Sequence, residues 1–190
     1  MNNRRALWTN ALTKRSCPEK KAFAIQGSNF CGKVLGIDPS LRGSGFAVLE
    51  AVDARAVNYV TSLTLKLMAR HSFTECLGEI FSTTRRLLEE HDMRAVAIEH
   101  PVYVQNFRTA HILGSARGAC LAAVALQGLP VSEFAPLRIK KAVTGLGRAT
   151  KIQVSRMAVQ LLRLPKVLPP DESDAAAAAL CYIFSLKSLK

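Results

Sequence analysis

Four acidic residues stand where a carboxylate can do chemistry. Asp38 closes the apolar run "VLGID" (34–38), Glu99 closes "AVAIE" (95–99), and Asp171 and Asp174 lie three apart in "PPDESDAAAAAL". Residues three apart share one face of a helix, so the last two project together from its first turn. Each acid has an ordinary reading on its own: a turn residue, a solvated strand end, an N-cap favoured by the helix dipole. As a set they have a chemical one. Carboxylates gathered at one point repel each other unless cations share the site. Hard divalent ions with oxygen ligands suit such a donor set, Mg²⁺ above all. Two ions roughly 4 Å apart can activate a water and stabilise the leaving oxygen of a phosphodiester.

The elements must bring these acids together. "VLGID" reads as a buried strand, and "GFAVLEA" (45–51) as its hairpin partner across the glycine-rich turn "PSLRGSG". "AVNYVTSLTLKL" (56–67) alternates in part and supplies a third strand. Residues 72–91 carry apolar side chains at helical spacing behind Ser72, a suitable N-cap. "AVAIE" is a fourth strand, and 106–128 a long helix rich in small residues, with Gly114 and Gly118 one turn apart. "LPVSEFA" (129–135) is a fifth strand, followed by helices at about 136–143, 150–163 and from near Asp171. Three strands, then helix, strand, helix, strand, give an α/β fold with a mixed five-stranded sheet flanked by helices. That order is ribonuclease H-like, although periodicity alone also fits a Rossmann-like or actin-like sheet. In the ribonuclease H-like arrangement the first and fourth strands are neighbours and the final helix crosses their ends, so the four carboxylates converge.

Composition bounds the rest. A chain of 190 residues with 49% hydrophobic content makes one domain with a short appendage and an ample core. The longest apolar run, "AAAAALCYIF" (175–184), falls short of the roughly 18–20 residues that span a bilayer, so no membrane association is expected. Five widely spaced cysteines without a CxxC pair argue against zinc and disulfides and for a reducing compartment. His100 and His111 have no zinc-like spacing and receive no role.

The net charge of +12 is unevenly spread. Residues 1–33 hold seven Lys/Arg against the single acid Glu19, residues 134–170 hold eight and no acid, and the middle is nearly balanced. Two separated basic blocks suggest a polyanionic partner, nucleic acid first. Residues 1–33 show no sustained period and read as a basic arm ahead of a domain at 34–190. An arginine-rich, acid-poor start also fits an organellar transit peptide.

The segments "GIDPSLRGSGFAVLE", "AIEHPVYVQN", "LGSARGACLAA", "EFAPLRIKKAVTGLGRATKIQV" and "LLRLPKVLPPDESDAAAAAL" occur in the order and spacing of one family. Over about residues 34–186 the chain resembles the RuvC family of Holliday junction resolvases. The resemblance implies a cytoplasmic, nucleoid-associated bacterial protein: a ribonuclease H-like homodimer that cuts two opposed strands of four-way junction DNA, alongside a branch-migration helicase complex. It implies two Mg²⁺ ions per site, with Mn²⁺ as a substitute, held by Asp38, Glu99, Asp171 and Asp174. It places two catalytic lysines at Lys140 and Lys151. Arg138, Lys141, Arg148 and Asn106 join them as expected DNA contacts. After Glu99 the family carries an aromatic that stacks on bases of the opened junction. Ungapped counting puts Val102 there, with Tyr103 beside it as the candidate substitute.

Three other functions compete. An actin-like kinase or ATPase needs a second phosphate loop and an adenosine site, for which 190 residues leave no room. A catalytically inactive nucleic-acid binder would be expected to have lost a carboxylate, and none is lost. A less specialised ribonuclease H-type nuclease is separated from a resolvase by its substrate.

Overall fold

The computed structural model describes residues 30–52, 56–100 and 106–186. Its elements in chain order are β1 (Gly32–Asp38), β2 (Gly43–Ala51), β3 (Val57–Lys66), α1 (Phe73–Glu90) and β4 (Met93–Glu99). They continue with α2 (Phe107–Leu126), β5 (Val131–Phe134), α3 (Pro136–Thr144), α4 (Lys151–Leu161) and α5 (Pro170–Ser185). The sheet order is β3-β2-β1-β4-β5. β1, β2 and β3 are joined antiparallel, while β1–β4 and β4–β5 run parallel. This is the expected mixed five-stranded sheet, with β1 and β4 adjacent at its centre. β1 starts two residues ahead of the expected Val34, and Phe30 before it meets Tyr182 of α5 edge-on at 5.4 Å.

Alternation along the strands sorts side chains between two faces. Leu35, Ile37, Phe46, Val48, Val96 and Ile98 pack towards α1 and α2. Val34, Ala47, Leu49, Ala95 and Ala97 face the other side, where α5 lies. On that second face the central strands are built from small residues, and α5 answers with Ala175 to Ala179, all buried. Small against small lets the helix axis approach the sheet closely. α3 and α4 cover the far side of α5, so this helix sits in the middle of the molecule.

The local signals are ordinary ones. Ser72 forms a full capping box with Glu75, fixing the start of α1, and Thr150 does the same with Gln153 for α4. α2 packs on α1 through Ala116, Cys120, Ala123 and Val124. Its opposite side is open: Gly114 and Gly118 have no neighbouring atoms within 4 Å of where a Cβ would stand. By length and composition α2 is apolar enough to cross a membrane, which corrects the expectation that no stretch approaches that limit. The ion pair of Arg117 with Glu133 of β5 nevertheless ties the middle of α2 to the domain.

Candidate active site

Asp38 and Glu99 end adjacent parallel strands, one step past the Ile37–Ile98 pair. By alternation both lie on the α5 face, in line with Gly36 on β1 and with Ala95 and Ala97 on β4. The end of β4 is held from the other side by β5, where the His100 N–H donates to the Phe134 carbonyl at 2.9 Å. Glu133, next in register, pairs with Arg117 and lies 3.9 Å from His100 Nε2. The end of β1 is held by its own hairpin. The Ser44 hydroxyl is fully buried, donates to the Ser40 carbonyl at 2.5 Å and accepts from the Ser40 N–H at 3.0 Å.

α5 delivers Asp171 and Asp174. Glycines in the strands make this possible, and they are not turn glycines. Gly43 and Gly45 belong to β2, so the chain reverses over residues 39–42, ahead of them. A Cβ on Gly45 would stand 2.0 Å from the Asp171 carbonyl oxygen, and one on Gly36 would stand 2.0 Å from that of Ala175. No real Cβ tolerates such a distance. The helix backbone therefore lies directly on β1 and β2, and its first turn is pressed against the strand end that bears Asp38. The helix begins at Pro170 behind Pro169, which makes no side-chain cap bond, so Asp171 is not the N-cap.

The acids lie near enough to act on one another. Burial first, then the charges of Asp174 and Glu99, push the Asp38 carboxyl up to about 7 from its ordinary 3.8. Burial and the charge of Asp174 also raise Glu99, against the opposing pull of Lys151 and Lys140. Lys151 supplies the compensating charge. Its Nζ donates to Asp174 Oδ2 at 2.6 Å, and this bond, with the charges of Asp38 and Glu99, holds the ammonium above its ordinary range. Glu99, Lys140, Lys151 and Asp174 line one cleft of about 60 Å³ with an apolar floor that includes Ile139 and Val154. Asp171 is the outlying member, acting on Asp38 as the weakest of its named influences. Among the described residues, no three acids stand close enough to close on a single ion as they are placed. The donor set is nonetheless all carboxylate oxygen, the type that suits a hard divalent cation.

The other expected contacts divide. Lys140 is beside the carboxylates, whereas Lys141 and Arg148 are exposed on the same basic segment. Arg138, also exposed, holds its guanidinium over the Phe134 ring, 5.1 Å from the centroid. Asn106 caps α2, its Oδ1 accepting from the Thr109 N–H at 3.1 Å. Tyr103 and Val102 lie outside the described residues. His111 is sandwiched between Phe73 and Phe107, in keeping with a helix-face residue. The residues missed from sequence are Gly36, whose signal was its place inside an apolar strand, and Gly45, which stands at the junction of turn and strand. Glu172 was missed as well.

The model of the family named Crossover junction endodeoxyribonuclease RuvC matches residues 34–182. The protein of that name from Halorhodospira halophila is 45% identical over 150 residues, covering 79% of this chain and 89% of the relative. The one from Koribacter versatilis is 38% identical over 158 residues, 83% of this chain and 95% of the relative. Among solved structures, T. thermophilus RuvC in complex with Holliday junction substrate matches with a TM-score of 0.78 and 29% identity, over 82% of this chain and 95% of that one. The yeast mitochondrial Holliday junction resolvase Ydc2 shares the fold at a TM-score of 0.58 and 12% identity, over 80% of this chain and 78% of that one. With the carboxylates and Lys151 assembled on such a sheet, and with relatives matched over nearly their whole length, the chain belongs to the RuvC family of crossover junction endodeoxyribonucleases.

Proposed function

We propose that the protein resolves four-way DNA junctions by hydrolysing a phosphodiester in each of two opposed strands, during recombination and repair. The observation that carries this reading is the meeting of Asp38, Glu99 and Asp174 under Lys151 at the ends of β1, β4 and α5. Asp38, Glu99, Asp171 and Asp174 are the residues that would hold two Mg²⁺ ions, with Mn²⁺ as a substitute. Such ions, when bound, make a water nucleophilic and stabilise the leaving oxygen. The chain's own groups do the rest. Lys151 and Lys140 neutralise the phosphate brought to the cleft and stabilise charge developing on it. Burial and the neighbouring acids raise the Asp38 carboxyl to about 7, and a bound cation would favour its ionised form. Lys141 and Arg148 extend the cationic path for the backbone, Arg138 and Asn106 are further DNA contacts, and Tyr103 would stack on a base of the opened junction.

Two opposed cuts call for two sites, and a two-fold protein matches a two-fold junction most simply. The open side of α2, with Gly114, Gly118 and the exposed Phe107 and Leu126, is the surface through which two copies would pair. The protein would act in the cytoplasm at the chromosome, together with a branch-migration helicase complex. The test is cleavage of a synthetic four-way junction in Mg²⁺ beside a matched linear duplex and an RNA–DNA hybrid. Paired nicks confined to the junction are expected. Equal cutting of the linear duplex, or preference for the hybrid, would replace resolution with a general ribonuclease H-type activity.

A further inference from the structure

The first turns of α5 carry three acids, and one of them faces away from the other carboxylates. Glu172 reaches the edge strand β3. Its Oε2 accepts from the Ser62 hydroxyl at 2.5 Å and its Oε1 from the Thr64 hydroxyl at 3.2 Å. The Tyr59 hydroxyl lies 2.8 Å from Ser62 Oγ and extends the row. Ser62 and Thr64 are two apart on a strand, so they share one face of the sheet. Hydrogen bonds to an ionised carboxylate are roughly twice as strong as neutral ones.

The register shows what this tether controls. Asp38 on β1 is opposite Gly45 on β2, and Gly45 is opposite Thr64 on β3. The first turn of α5 lies along that row: the Asp171 carbonyl over Gly45, Glu172 on Thr64, and Asp174 close enough to raise Asp38. At about 100° per residue, Glu172 projects to one side of Asp171 and Asp174 to the other. A pull on Glu172 therefore sets the rotation of the helix, and with it the direction of both catalytic acids. No side-chain cap steadies this end of α5.

We propose that Glu172 is a positioning residue: through Ser62 and Thr64 it fixes the rotation and seating of α5, so that Asp171 and Asp174 present their oxygens to the cation shared with Asp38. The proposal rests on reading those carboxylates as cation ligands, as above.

The test compares Glu172→Ala, Glu172→Gln and the pair Ser62→Ala/Thr64→Ala. Mn²⁺ binding to the DNA-free protein is measured by calorimetry, alongside single-turnover junction cleavage across a Mg²⁺ series, junction affinity in Ca²⁺, and thermal melts. Groups that orient metal ligands are typically worth about 10–100-fold in metal affinity, and a loss of that size is expected for Glu172→Ala. The Mg²⁺ midpoint of cleavage should move by the same factor while junction affinity holds. Glu172→Gln should restore most of the affinity, because its amide can accept from one hydroxyl and donate to the other. The Ser62/Thr64 pair should match Glu172→Ala, and combining all three changes should add little. Unchanged Mn²⁺ affinity in Glu172→Ala overturns the proposal. So does a Gln variant as weak as the Ala variant, since the charge itself would then be acting. A loss that only tracks the unfolded fraction in the melts overturns it too. Wild-type protein that fails to cut junctions in Mg²⁺ would instead refute the functional reading beneath it.

Discussion

α5 and α2 are both rich in alanine and glycine-sized residues, yet they lie in opposite situations. α5 is enclosed between the sheet, α3 and α4, with Ala175 to Ile183 all buried. α2 rests on α1 along one side and presents the other, with Gly114 and Gly118, to solvent. Small side chains mean close backbone approach in each case. For α5 the approaching surface is the chain's own sheet, cleared by Gly36 and Gly45. For α2 none of the described residues supplies it, and a second copy would, as proposed above. The same composition thus lines a core in one place and an open face in the other, and only the sheet beneath tells them apart.

The largest effect that would break this contrast is expected at Gly45. Gly45→Val should cost about 3 kcal/mol or more, since the Asp171 carbonyl must move off the strand. Melts should show the loss, and any folded remainder should cut poorly because Asp171 and Asp174 are displaced.

Asp38→Asn separates stability from chemistry at the same spot. Junction cleavage should fall roughly a thousandfold, the equivalent of about 4 kcal/mol of charge stabilisation. Junction binding should survive, because cationic contacts to the backbone supply most of the affinity. The metal-free variant should also be the more stable protein at alkaline pH. The wild-type carboxyl titrates near 7 when folded and near 3.8 when free, so folding favours its protonated form. That stabilisation is complete below about 4 and is lost as pH rises through about 7. At pH 8 the variant should melt several degrees higher, with a ceiling of about 4 kcal/mol for a shift of this size. Equal melting temperatures at pH 8 would show that Asp38 is not held in a desolvated, crowded place.

On the open side the sign reverses. Gly118→Lys replaces glycine by a better helix former at an exposed position, worth about 0.7 kcal/mol in favour of the monomer fold. Sedimentation should nevertheless shift from dimer to monomer, and the two cuts in a junction should lose their coordination. A dimer that persists would move the interface off this face of α2.

The smallest effect is expected at the start of the chain. Deleting residues 1–29 should leave the melting temperature unchanged and weaken junction binding several-fold at low salt, as a few cations are removed. Phe30 must be kept, because its ring packs on Tyr182 at the end of α5.

Much of this was legible in the sequence. The succession of strands and helices followed from alternation and run length, the sheet order came with the family resemblance, and the cap at Ser72 is local chemistry. Asp38, Glu99 and Asp174 were visible as acids at the ends of apolar segments, where a charge is out of keeping with its neighbours. What stayed hidden depends on registers between distant segments. Gly43 and Gly45 read as turn residues because nothing local distinguishes a glycine that reverses the chain from one that admits a helix. Glu172 drew no reading of its own, because its partners Ser62 and Thr64 lie more than a hundred residues earlier. Arg138 read as one basic residue among several until Phe134 was placed beneath it.

The place of α5 has a consequence for the life of the chain as it is made. Residues 38 and 99 leave the ribosome well before residues 170–185, and domains tend to fold as units once their parts are available. Until α5 arrives, the small-residue face of the sheet has nothing to close on, and half of the acids are missing. A nascent polypeptide with its basic first 33 residues already made is therefore still without a complete site. Because α5 is at once the central packing element and the bearer of two of the four carboxylates, activity begins when the core closes.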